Sequence, residues 1–151
     1  MGRAKAAINK DRFQVAVDYL SEYAGVRGAV IFDSEGLTIA RSGQKNFDGD
    51  KHAALGFLLV GAIDAALPRL TEPGIEFLSI KTSKEWLTIA RSASLFLVVA
   101  AERSADDLLN IRITRSLEMV ASHLKEKYPY YLSQALPRVK EPAKEMEEIH
   151  V

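Results

Sequence analysis

Three apolar segments, Ile75–Lys81, Glu85–Arg91 and Leu95–Ala101, follow one another with only Thr82-Ser83-Lys84 and Ser92-Ala93-Ser94 between them. Three residues cannot carry a crossover, so these segments must pair as an antiparallel meander. Leu95-Phe96-Leu97-Val98-Val99 shows no alternation, which predicts a central strand covered on both faces. A second strand pair is predicted upstream, Val26–Asp33 and Leu37–Ser42, around the loop Ser34-Glu35-Gly36, where Gly36 supplies the positive φ of a three-residue hairpin. The last meander strand pairs most easily with this hairpin. That leaves Ile75–Lys81 at one edge of a five-stranded sheet.

Three helical stretches surround these strands. The first starts near Asn9 or Asp11, with Asp11 and Gln14 at capping-box spacing and Phe13, Val17, Leu20 and Ala24 as its stripe; Gly25 closes it. The last has Ser104 and Asp107 at the same spacing, the stripe Leu109, Ile113, Leu117, Val120 and Leu124, and Pro129 as its stop. The second, about Lys51 to Leu67 with Asp48 or Asp50 as cap, is the informative one. Between Ala53 and Leu67 only Asp64 is polar, so the helix is apolar almost all round. Covering a sheet takes only a stripe, and the surplus must be buried by something else. Pro68 and Pro73-Gly74 then break the chain.

The element order is α-β-β-α-β-β-β-α, and the fold class is α+β (α/β), a five-stranded antiparallel sheet with helices on both faces. Residues 1–10 read as an arm, 11–127 as the domain, and 128–151, with Pro129, Pro137, Pro142, Glu145, Glu147 and Glu148, as a charged tail carrying one short helix around Tyr130–Leu136. An edge strand without an internal proline is an aggregation liability. Pairing of edge strands and second helices across a two-fold axis covers both exposed features at once, giving a homodimer. Leu55, Leu59 and Ile63 are the candidate helix seam, and Ile75, Phe77 and Ser79 the candidate edge contacts. The alternative cover is the tail folding back.

The chemistry points to a binding module rather than an enzyme. Twenty basic residues balance twenty acidic ones, so the electrostatic footprint of a nucleic-acid binder is missing and no nucleic acid is expected. Cysteine is absent, which excludes disulfides, thiolate metal sites and a thiol nucleophile. Neither a Gly-x-x-x-x-Gly-Lys loop, a Gly-x-Gly-x-x-Gly turn nor a Gly-x-Ser-x-Gly elbow occurs. His52, His123 and His150 are too dispersed for a ligand trio and read as solvated surface side chains. Asp33-Ser34-Glu35-Gly36 and Asp48-Gly49-Asp50 serve turns and caps rather than a cation. No metal and no cofactor is expected. The apolar run 53–67 is fifteen residues, short of the roughly 20 that a bilayer requires, and the basic start MGRAKAAINKDR has no apolar leader. No membrane insertion and a cytoplasmic address are expected. Leu-Thr-Ile-Ala-Arg-Ser occurs at both 37–42 and 87–92; two return strands explain it better than a duplicated anion site built on Arg41 and Arg91.

Ala24-Gly25-Val26-Arg27-Gly28-Ala29-Val30-Ile31-Phe32-Asp33-Ser34-Glu35-Gly36-Leu37 resembles the opening hairpin of the Roadblock dynein light-chain family, which includes MglB-like regulators. Trp86–Arg91, the strand Leu95–Val99 and the helix from Ser104 fall where that family has them, so the resemblance spans about Asp11 to Lys127. It implies profilin-like or longin-like layering and a homodimer with edge strands joined and second helices side by side. It also implies a non-catalytic platform for a small Ras-like GTPase. Lys51 and His52, at the polar start of the second helix, are the candidate partner contacts. A structural subunit of a scaffold or motor complex, without effect on nucleotide turnover, is the first alternative, and a small-ligand sensor domain the second. No one of Arg27, Arg41, Arg91 and Arg103 stands out as a catalytic finger.

Overall fold

The computed structural model of the protein describes residues 11–66 and 76–127. Helix α1 (Arg12–Ser21) leads into the hairpin β1 (Val26–Phe32) and β2 (Thr38–Gly43). Helix α2 (Gly49–Ala66) follows, then the meander β3 (Phe77–Lys81), β4 (Glu85–Ser92) and β5 (Leu95–Glu102), and finally α3 (Leu109–Lys127). The arm 1–10, the proline segment with Ile75, and the tail from 128, with its expected short helix and His150, lie outside the described residues.

All neighbouring strands pair antiparallel in the order β2-β1-β5-β4-β3, which leaves β3 at an edge as the connector lengths demanded. β5 is central, and its unbroken apolar run now has a physical reason. Leu95, Leu97 and Val99 pack towards α1 and α3 with Ala29 and Ile31 of β1. Phe96 and Val98 pack towards α2 with Val30 and Phe32, the Phe32 and Phe96 rings stacking 5.2 Å apart. One strand feeds two cores, so it cannot alternate.

On the first face, Phe13, Ala16, Val17 and Leu20 of α1 meet Leu109, Ile113, Val120 and Leu124 of α3 over the sheet. The two helices are also tied by polar contacts. Buried Ser116 Oγ donates to the Ala16 carbonyl at 2.8 Å, and Arg112 Nη1 donates to the Tyr19 carbonyl at 3.0 Å while lying over the Tyr19 ring. His123 corrects the expectation of a surface histidine. It is buried, its Nε2 lies 3.1 Å from Asp11 Oδ1, and its ring meets Phe13 edge-on at 4.6 Å. A residue late in an amphipathic helix faces inward when its neighbour helix starts there.

The caps are partly as expected. Asp11 accepts from the Phe13 amide at 2.8 Å, and Asp48 accepts from the Lys51 amide at 3.1 Å. Gln14 does not complete a capping box; its amide donates instead to Asp18 Oδ1 and to the Arg41 carbonyl. Nor do Ser104 and Asp107 cap the last helix, which begins at Leu109. Asp106 accepts there from the Leu108 amide at 2.9 Å, because residues 103–105 are still turning out of β5.

The repeated hexapeptide builds no paired site. Arg41 lies 2.6 Å from Asp50, whereas Arg91, two strands beyond β1, donates to the Ala93 carbonyl and lies over Phe96. In β4, Leu87 and Ile89 face α2 and Ala90 the opposite core, as expected of a return strand, but in edge strand β2 both Ile39 and Ala40 pack towards α1.

Candidate functional site

Helix α2 touches the sheet along a narrow line. Ala53, Gly56 and Val60 are its buried residues beyond the first turn, and they rest on Val30, Phe32 and Val98. Gly56 is what lets the helix come this close: a Cβ there would lie 2.7 Å from Val98 Cγ2 and 3.0 Å from Phe32 Cε1. Much of the remaining circumference is apolar and exposed, with Phe57 lying over Gly36 of the β1–β2 loop. Of the eight large apolar side chains exposed among the described residues, Leu55, Phe57 and Leu58 lie on this helix and Phe77 on β3. Such clustering, rather than scattered exposure, marks an interaction surface.

The expected seam divides in three dimensions. Leu55 is 46% exposed on the flank of α2, whereas Leu59 and Ile63 are half-buried, Leu59 against the Val30–Phe32–Val98 core. Leu58, 68% exposed, sits about half a turn from the buried line and points away from the sheet. α2 lies over β1, β2 and β5, so among the described helices none covers the outer half of this sheet face, which forms a step beside α2. Leu78 of β3 and Leu87 of β4 floor that step, and Ile80 stands directly across from Leu87.

The edge residues also sort by face. Phe77 pairs with Ala90, which belongs to the α1–α3 core, so Phe77 and Ser79 point to that side. Ser79 Oγ accepts the Trp86 indole N–H at 2.7 Å, and Lys81 lies over the Trp86 ring. The side chains of β3 beside the α2 step are therefore Leu78 and Ile80, while Phe77 and Ser79 lie on the other face of the same edge strand. Alternation along Phe77-Leu78-Ser79-Ile80 carries that signal, but only the strand register says which parity faces α2. Ser79→Ala strands the buried indole donor, and the expected cost is about 1–3 kcal/mol, read as a lower urea midpoint with the oligomeric state unchanged. A change in oligomer size instead places the Ser79 side chain in the seam.

The first turn of α2 is polar. Lys51 is exposed, and His52 Nδ1 lies 2.8 Å from the Asp48 carbonyl with its ring 4.5 Å from Phe47. Hydrogen bonds from Thr38 and then Arg41 hold the Asp50 carboxyl below its ordinary range. Phe47 is a residue that the sequence did not single out. It lies across the cross-strand pair Gly28 and Gly43, where an added Cβ would come within 2.3 and 2.8 Å of its ring. This is why the second glycine of Gly25-Val26-Arg27-Gly28 must be a glycine: the ring seats the loop that launches α2.

The family model for the Roadblock/LC7 domain matches residues 13–101, more than half of the chain. The protein belongs to the Roadblock/LC7 family. The fold agrees. MglB of Myxococcus xanthus superposes with a TM-score of 0.71 at 20% identity, covering 78% of this chain and 98% of its own. The gliding protein MglB of Thermus thermophilus gives 0.68 at 18% identity, over 76% and 90%. An MglB described with a tetrameric arrangement gives 0.69 at 19%, over 76% and 89%. No curated protein matches the sequence. In Roadblock/LC7 terms, the Gly-Val-Arg-Gly start opens β1, Trp86–Arg91 lies in β4 and the apolar strand is β5, each where the resemblance placed it. Among the described residues, no helix is long and apolar enough to cross a membrane, and no group of histidine and carboxylate side chains is arranged to hold a metal ion.

Proposed function

We propose that this Roadblock/LC7 protein is a non-catalytic homodimeric platform for a small Ras-like GTPase. One observation supports it most: Leu55 and Leu58 are presented outward on α2, and β3 is a sheet edge with no neighbouring strand beyond it among the described residues, next to the Leu78–Leu87 step. Burying each of these large side chains contributes about 1.5–3 kcal/mol. Pairing of two β3 edges extends the sheet across a two-fold axis, satisfies the free backbone groups and brings the α2 flanks carrying Leu55 towards each other. The outward face with Leu58, and the polar first turn with Lys51 and His52, then stay available to a second protein. A Ras-like GTPase is the partner that membership of the family implies, and its switch segments order with the γ-phosphate, so binding to a regulator depends on the nucleotide.

Affinity capture with the full-length chain tests the reading. A Ras-like GTPase enriched with a non-hydrolysable GTP analogue and lost with GDP is the expected result. Adding the purified chain to that GTPase then shows, from the hydrolysis rate, whether it activates or only recruits. A large assembly retained equally in both nucleotide states, with no free GTPase, replaces the regulator by a scaffold subunit.

A further inference from the structure

A second feature lies at the end of the sheet where α2 begins. The pairing of β1 with β5 slips between Val26 and Gly28, and the bulge releases Arg27 from the ladder. Its guanidinium Nη1 lies 2.6 Å from Glu85 Oε1. Glu85 in turn stands directly opposite Glu102 across the β4–β5 pair. Like charges facing each other in this way destabilise a sheet unless a cation lies between them. Arg27 closes on Glu85 only, and among the described residues no basic side chain forms an ion pair with Glu102. The Glu102 main chain is fixed, its amide donating to the Gly25 carbonyl at 2.8 Å. These three side chains line an open cleft of about 480 Å³, whose other walls are Gln44, Asn46, Phe47 and His52. One guanidinium against two carboxylates leaves the lining one negative charge in excess.

We propose that this cleft receives a cationic side chain, specifically an arginine, of the protein docked on α2. The inference deepens the platform reading, and rests on it, because His52 belongs both to the first turn of α2 and to the cleft wall. An entering guanidinium donates to the Glu102 carboxylate and to the amide oxygens of Gln44 and Asn46, with the Phe47 ring lining the same space for a cation–π contact. It also relieves the opposition of the two glutamates. The cleft is thus built at a cost in stability of the free protein that a bound cation removes.

The test uses the isotope-labelled full-length protein, with N-acetyl-arginine amide as probe and the uncharged N-acetyl-citrulline amide as its isostere. Saturable NMR shifts at the amides of Gln44, Asn46 and Glu102 are expected with the arginine probe. Binding of the citrulline probe is expected to be at least about tenfold weaker, the worth of one charge-assisted contact. Glu102→Gln is expected to abolish the arginine response while raising the melting temperature, since it removes the like-charge pair and leaves the Arg27–Glu85 bond intact. Equal responses to the two probes, no saturable response, or a lower melting temperature in E102Q overturns the proposal. No GTPase is present in this experiment, so its outcome is independent of the nucleotide-dependent capture.

Discussion

For the proposed dimer, Leu55→Asp will run as a monomer in light scattering at concentrations where the parent chain runs as a dimer. The side chain is 46% exposed and does not belong to the core under α2, so the protomer keeps its fold and its circular dichroism. In a two-fold interface each substitution occurs twice. Losing two buried leucines, at about 1.5–3 kcal/mol each, and bringing two carboxylates into an apolar seam weakens the dimer by at least about 100-fold. An unchanged dimer removes the Leu55 flank from the seam. Leu59→Asp is the poorer experiment, because it places a charge against Val30, Phe32 and Val98 and unfolds the protomer. Leu58→Asp is the useful control. That side chain faces away from the sheet, so the dimer survives while capture of the partner fails.

Gly28→Ala will lower the melting temperature by roughly 3–10 °C, equivalent to about 1–3 kcal/mol of overpacking. The new Cβ would lie 2.3 Å from the Phe47 ring, which must leave its seat on the Gly28–Gly43 pair. The displaced ring takes the 44–48 loop with it and loosens the start of α2, where Asp48 accepts from the Lys51 amide. Phe47→Ala in the same chain makes room for the Cβ, so the double variant loses less than the two single losses added together. Strict additivity separates Gly28 from Phe47 and assigns the glycine another role.

The legible part of the fold was what chain connectivity enforces. Three-residue connectors made the meander antiparallel, and the absence of alternation in Leu95–Val99 put β5 in the centre. The surplus of apolar residues between Ala53 and Leu67 pointed to α2 as the open surface. Features set by contacts distant in sequence were not legible. Asp106 caps α3 in place of Ser104 because the turn out of β5 takes the residues between. His123 is buried because Asp11 and Phe13, from the far end of the domain, arrive beside it. Phe47 looked like a loop residue until Gly28 and Gly43 paired beneath it. For the candidate site, the sequence found the helix and the edge strand, but not the face on which each side chain falls. Leu78 and Ile80 fall on the α2 side of β3, and Phe77 and Ser79 on the other.

The position of β5 between β1 and β4 also dictates when this chain can fold. β1 ends at Phe32, and its inner neighbour begins at Leu95, so the two middle strands are joined only after a long loop closes. During synthesis the first hairpin and α2 emerge well before that strand exists, with Val30 and Phe32 lacking the partners that later bury them. A nascent chain in this state exposes α2 and the β1 edge together, and it is the protein's most vulnerable moment. Non-local pairing of this kind also slows refolding relative to a helical protein of equal size. Chaperone dependence should accordingly persist until the ribosome has released both β5 and α3, whose Leu109, Ile113, Val120 and Leu124 close the other face of the sheet.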